Sequence, residues 1–213
     1  MLLTHPFYQR WEAGELRPGE LATYARQYRS FEAALPDVLS GVTQRLVTDG
    51  SADVADLVQR NLDDELRHPE PHLALFDRFA AGVSALAPST DATAGAGPAA
   101  EALVATYAAS VEAGPVAALS ALAAYETQAS AIAKSKAEGL RRWYGIGDAE
   151  VAFWDVHAAM DADHGDWAIE ALVQLDADPV AVADAAKRAA DAWWAFLDER
   201  EAAAPVGAGS RTS

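Results

Sequence analysis

Val156-His157-Ala-Ala-Met-Asp161-Ala-Asp-His164-Gly165 is the stretch that decides how this chain is read. Its three metal-competent side chains, His157, Asp161 and His164, stand at i, i+4 and i+7. At 3.6 residues per turn they fall within about 60° of one another on an α-helix. Two imidazoles and a carboxylate on one inward stripe form a mixed nitrogen–oxygen donor set, which suits iron or manganese. A centre of that kind can activate dioxygen, so the stripe points to redox chemistry carried on helices. The plainer alternative is a pair of histidines on a solvated face, because Asp155, Asp163 and Asp166 crowd the same segment.

Outward from this stretch the chain reads as nearly all helix. Strand-like alternation is absent, and Ala, Leu, Glu, Arg and Gln are abundant. The pattern predicts helices over about 6–13, from 18 onward, and over 52–67, 71–86, 100–113, 116–144, 148–175 and 179–203. Pro36 is expected to kink or break the second helix. The run His68-Pro-Glu-Pro-His72 must interrupt the chain, since two prolines do not fit inside one regular helix. Small residues over 87–99 predict a surface loop. The expectation is an all-α single domain, 1–203, of about seven helices around one core, with a frayed tail, 204–213.

Composition narrows the function. The chain has 213 residues, half of them hydrophobic, enough for a substantial core. A net charge of −16 makes nucleic acid and anionic membranes poor partners, because phosphate recognition needs clustered Lys and Arg. Cysteine is absent, which removes disulfides, thiolate metal sites and cysteine nucleophiles. No apolar run has the length of a membrane span, and the start lacks the basic and apolar regions of a secretory signal. The cytoplasm is the expected location, and a homodimer is the expected assembly.

Two further elements carry ligand chemistry. Glu126 lies in the apolar segment Leu119-Ser-Ala-Leu-Ala-Ala-Tyr-Glu126, where an ionised carboxylate is costly unless it is paired or metal-bound. A cation such as Lys134 or Arg26 is its alternative partner. Glu65 stands three residues before His68, the i, i+3 spacing of helical-bundle metal sites, and seven before His72 across the proline break. Periodicity favours His68.

Together, Glu65, His72, Glu126, His157, Asp161 and His164 resemble the ligand pattern of the haem-oxygenase-like dimetal oxidases: Glu-x6-His, a lone Glu, then His-x3-Asp-x2-His. This pattern favours His72 over His68. Within that superfamily the chain is similar to the CADD-like p-aminobenzoate synthases of folate metabolism, over most of its length. The similarity runs through His5-Pro-Phe-Tyr8-x-x-Trp11-x-x-Gly14, Leu21-x-x-Tyr24-Ala25-x-x-Tyr28, Ala34-Leu-Pro36, Tyr125-Glu126-x-Gln128 and Ile132-Ala-Lys134-x-Lys136-x-x-Gly139-Leu140. Ser130 stands where the family often has proline.

The resemblance implies a self-consuming reaction. Tyr8 would supply the aromatic skeleton of p-aminobenzoate and Lys136 the nitrogen. Tyr24 and Tyr125 would take part in oxidation or radical transfer. Two metal ions, both iron or one iron and one manganese, would act with dioxygen and an external reductant. The residues make this chemistry reasonable: a phenol already holds the ring, and a buried, neutral lysine is a nucleophile. On a straight helix Lys136 lies about 15 Å along the axis from Glu126 and about 80° around it, so Lys134 competes for the donor role. Core packing is the ordinary alternative for each tyrosine, and solvent-reaching at a bundle surface for each lysine. Two other functions stay open: a catalytic oxidase acting on an external amino acid or other small molecule, and a non-enzymatic interaction protein.

Overall fold

A computed structural model describes residues 1–87 and 97–203. Among them are one short 3-10 helix, Leu2–Thr4, eight α-helices and no strand. The helices are α1 (Pro6–Ala13), α2 (Pro18–Thr48), α3 (Ala52–Arg67), α4 (His72–Leu86), α5 (Pro98–Ala113), α6 (Pro115–Tyr144), α7 (Asp148–Gln174) and α8 (Pro179–Ala202). Most of the expected loop over 87–99 and the whole tail over 204–213 lie outside the described residues.

Local chemistry sets the helix starts. Proline occupies the first turn of α1, α2, α5, α6 and α8, where its missing N–H has no intrahelical partner to lose. His5 Nδ1 accepts from the Phe7 N–H at 3.1 Å to cap α1, and Asp178 Oδ2 accepts from the Ala181 N–H at 3.2 Å to cap α8. Glu20 accepts from the Arg17 N–H at 3.0 Å at the head of α2.

Of the kink or break expected at Pro36, the break is absent, because α2 continues through it as a single helix. A proline inside a helix costs about 3 kcal/mol. The surrounding Leu35, Val38, Leu39 and Val42 are all buried, at roughly 1.5–3 kcal/mol each. Packing therefore outweighs the lost backbone bond. The count also rises from about seven helices to eight among the described residues.

Helix α6 is the centre of the bundle, lying along α7 and α8, with α1, α2 and α5 also against it. Helix α2 packs on α3, α4 and α5, and α7 is covered by α3 and α4. Two glycines let elements approach closely. A Cβ on Gly165 of α7 would stand 3.1 Å from the Thr127 backbone nitrogen and 3.2 Å from the Glu126 carbonyl carbon of α6. A Cβ on Gly139 would stand 2.9 Å from Trp11 Cδ1, so α1 seats its indole directly on α6. Aromatic side chains fill much of the interior between these elements: Phe7, Trp11, Tyr24, Phe76, Phe79, Phe153, Trp154, Trp193 and Phe196 are fully buried.

Candidate metal centre

Four helices bring the six candidate ligands inward. Glu65 comes from the last turn of α3, His72 from the first residue of α4, Glu126 from α6, and His157, Asp161 and His164 from one face of α7. All six are buried. Glu65, Glu126, His157, Asp161 and His164 line one internal cavity, which Tyr28, Glu32, Tyr107 and Tyr125 also line. Ligand-type atoms of Glu65, His72 and His157 all lie within 4.8 Å of one another.

The turn between α3 and α4 places His68 and His72 differently. His68 is exposed, whereas His72 is wholly buried with Nδ1 3.1 Å from Glu65 Oε2. The break at Pro69 and Pro71 supplies the bend that a Glu-x6-His pair needs. His68 contributes its backbone: its carbonyl accepts from His72 Nε2–H at 2.8 Å.

The three histidines share one arrangement. Each has one ring nitrogen tied to an oxygen and the other turned towards a carboxylate. His72 Nε2 bonds the His68 carbonyl, and His157 Nδ1 bonds the Phe153 carbonyl at 2.8 Å. A carbonyl accepts only, so these nitrogens carry the protons and leave His72 Nδ1 and His157 Nε2 with lone pairs facing inward. His164 Nε2 lies 3.2 Å from Asp64 Oδ2, and its Nδ1 lies 3.6 Å from Asp161 Oδ1. Outer partners that fix tautomer and ring direction are characteristic of metal-ligating histidines.

Charge tells the same story. Burial would raise the Glu65 carboxyl, but the hydrogen bond and charge of His72, together with His157 and His164, outweigh it and hold Glu65 below its ordinary value. Either a proton on His72 Nδ1 or a metal cation satisfies both atoms at once. His157 is pushed down by burial to about 4, which keeps it neutral and able to ligate. Asp161 and Glu126 are pushed up, first by burial and then by neighbouring carboxylates, Glu65 among them. Glu126 Oε1 accepts from Asn61 Nδ2 at 2.7 Å, while its buried Oε2 has no hydrogen-bond partner. Inward lone pairs, orphaned carboxylate oxygens and a hard nitrogen–oxygen donor set fit iron or manganese.

A second cluster adjoins the cavity. Lys136 is 2 % exposed and donates from Nζ to the Tyr24 hydroxyl at 2.6 Å, whereas Lys134 is exposed. Tyr24 and Tyr8 hydroxyls are 3.3 Å apart. Lys136 Nζ stands 4.7 Å from the centre of the Tyr8 ring and 4.1 Å from that of Trp154. These ring faces favour an ammonium, but burial prevails and pushes the Lys136 pKa well below its ordinary value. Tyr125 and Tyr28 connect the two regions: both line the cavity, their hydroxyls are 2.8 Å apart, and the Tyr28 ring packs on Tyr24 at 5.4 Å. Lys136 thus points at tyrosines, as its turn away from Glu126 along α6 requires.

Four side chains at the site escape a reading of the sequence by spacing. Asn61 and Asp64 act only on other side chains, and Tyr28 resembles a core aromatic. Glu32 carries a usable signal: it is an acid on the apolar face of α2, between Tyr28 and Leu35. Its carboxyl is pushed up to about 8 by burial and then by Glu65.

Known proteins match this picture. Residues 22–194 match the family model of an iron-containing redox enzyme. A 4-aminobenzoate synthase of Nitrosomonas europaea is 36% identical over 211 residues, covering 92% of this chain and 84% of that one. A 4-aminobenzoate synthase of Chlamydia muridarum is 32% identical, covering 92% and 83%. The crystal structure of a CADD-like protein of unknown function from Nostoc punctiforme superposes with a TM-score of 0.70 at 19% identity, covering 94% of this chain and 88% of that one. That likeness shows the fold, an all-α, haem-oxygenase-like bundle. The chain belongs to the family of iron-containing redox enzymes, and within it to the group whose relatives are named 4-aminobenzoate synthases.

Proposed function

We propose that this protein is an oxygen-dependent dimetal oxidase that forms p-aminobenzoate, a folate precursor, from its own Tyr8 with Lys136 as amino donor. One observation carries the reading: a fully buried lysine nitrogen sits 4.7 Å from the Tyr8 ring centre and is held there by Tyr24. The names of the relatives support the product, and the family description supports the metal.

Glu65, His72, Glu126, His157, Asp161 and His164 would hold two metals, both iron or one iron and one manganese. When bound, they would supply the oxidising power of dioxygen, with electrons from an external reductant. The chain's own residues do the rest. Tyr125 and Tyr28 stand between the cavity and Tyr24, placed to pass an electron and a proton towards Tyr8. Tyr24 fixes the Lys136 amine and exchanges a proton with it. Burial keeps that amine neutral and nucleophilic, and the packed rings exclude water. Tyrosine and p-aminobenzoate share a para-substituted ring. The ring–nitrogen bond would form as the Lys136 Cε–Nζ bond and the ring–oxygen bond break, the phenol oxygen leaving as water. The Tyr8 Cα–Cβ bond would be cleaved as dioxygen oxidises Cβ to the carboxyl carbon.

The same reading takes residues 1–203 as one domain and places it in the cytoplasm as a homodimer. No described helix is long and apolar enough to cross a membrane. Exposed Ile169 and Val173, one turn apart on α7, offer apolar surface for a second copy. Protein made with heavy-carbon, ring-labelled tyrosine tests the source of the product. p-Aminobenzoate carrying the label in every ring carbon is expected. Unlabelled product would show an external aromatic substrate and defeat the self-consuming reading.

A further inference from the structure

We infer that Glu32, from the middle of α2, is a seventh protein ligand of the metal centre, adding a carboxylate to the group formed by Glu65, His72 and His157. The inference rests on the proposed metal centre and extends it to a helix that contributes none of the six ligands. Glu32 is 4 % exposed and faces the same cavity as Glu65, His157 and Asp161. Its Oε2 is fully buried and has no hydrogen-bond partner. A carboxylate taken out of water at such a place needs a compensating cation or donor.

The neighbouring side chains do not supply one for Oε2. Lys136 Nζ donates to the Tyr24 hydroxyl but makes no hydrogen bond to Glu32 Oε2, and the Tyr28 hydroxyl, one turn earlier, has a single proton to give. Packing alone does not explain an acid here, since the same face of α2 carries Phe31, Leu35 and Leu39 in the core. A metal between α2, α3, α4 and α7 accounts for the orphaned oxygen. It also explains why α2, which supplies Tyr24 and Tyr28 to the second cluster, places an acid beside them. Glu32 would then hold the metal from the helix that also carries Tyr28, one turn away.

Manganese(II) titration of chelator-stripped protein, followed by the electron paramagnetic resonance signal of free aqueous manganese, tests this without any turnover. Wild type is expected to bind two ions. Glu32→Gln keeps the shape and removes the charge, and is expected to weaken one of the two at least ten-fold. Glu32→Asp keeps the charge, withdraws the carboxylate by one methylene, and is expected to weaken the same ion. If Glu32→Gln does not retain the helical circular dichroism of wild type, Glu32→Asp decides alone. Two ions bound with wild-type affinity in the folded variant would overturn the role of Glu32 and leave the six-ligand centre standing. No manganese bound by wild type would overturn both.

Discussion

Lys136 Nζ lies 2.6 Å from the Tyr24 hydroxyl, in a pocket walled by Tyr8, Trp11, Tyr28 and Trp154. A lysine inside an aromatic cage, held by a phenol and not by a carboxylate, is expensive as an ammonium. The protein keeps it, and it is the amine in place for a ring that lies against it. The chemistry proposed here grows from that pair.

The pair should be visible in stability against pH. The Lys136 pKa is lower in the folded protein than its ordinary 10.5. Between those two values the unfolded chain binds the extra proton, so this residue's contribution to stability rises with pH and levels off above the unfolded value. Urea melts of wild type and Lys136→Met at about pH 7 and about pH 9 should show wild type gaining on the variant at the higher pH. A constant difference would mean that Lys136 titrates normally.

His72 and His68 should separate cleanly. His72→Ala removes a buried ring facing Glu65 and should lose bound metal by elemental analysis. His68→Ala keeps the backbone carbonyl that holds His72, so metal content should stay at the wild-type level and stability should change by no more than about 0.5 kcal/mol. Equal metal loss in both would return His68 to the ligand set.

Gly165 controls how closely α7 approaches α6. In Gly165→Ala the added Cβ meets the backbone of Glu126 and Thr127. Overpacking costs about 1–3 kcal/mol, partly offset by roughly 1 kcal/mol of helix propensity, so a net loss of about 1 kcal/mol is expected in a denaturant melt. Metal affinity should fall as well, because Glu126 is displaced from Asp161 and His164. An unchanged melt would show that α6 and α7 yield freely at this point.

Tyr8→Phe removes one hydroxyl whose partner is 3.3 Å away and leaves the ring in place. Stability should change by about 1 kcal/mol or less, with metal content unaffected. Formation of p-aminobenzoate should be lost. Undiminished product would remove Tyr8 from the reaction.

Much of this architecture is written in local signals. The proline and glycine punctuation predicts α1 and α3 to the residue, and hydrophobic periodicity places the others within a few positions. At Pro36 the local helix rule leaves a break open, whereas the burial of Leu35, Val38, Leu39 and Val42 that keeps α2 continuous is tertiary. Lys136 shows the same limit from the other side. Straight-helix arithmetic turns it away from Glu126, but only the seating of α1 against Gly139 reveals that it turns towards Tyr8 and Trp11. Glu32 was legible by the argument applied to Glu126, an acid on an apolar face. Asn61 and Asp64 were not, because their partners lie on α6 and α7 and no spacing within α3 points to them.

The most direct test of the central claim counts product against protein. Purified protein is loaded with iron and manganese, given reductant and oxygen, and followed by mass spectrometry of both p-aminobenzoate and the intact chain. The account predicts no more than one p-aminobenzoate per chain, with a matching loss of mass that maps to the Tyr8 side chain and the Lys136 nitrogen. Repeated turnover from a chain of unchanged mass would contradict it.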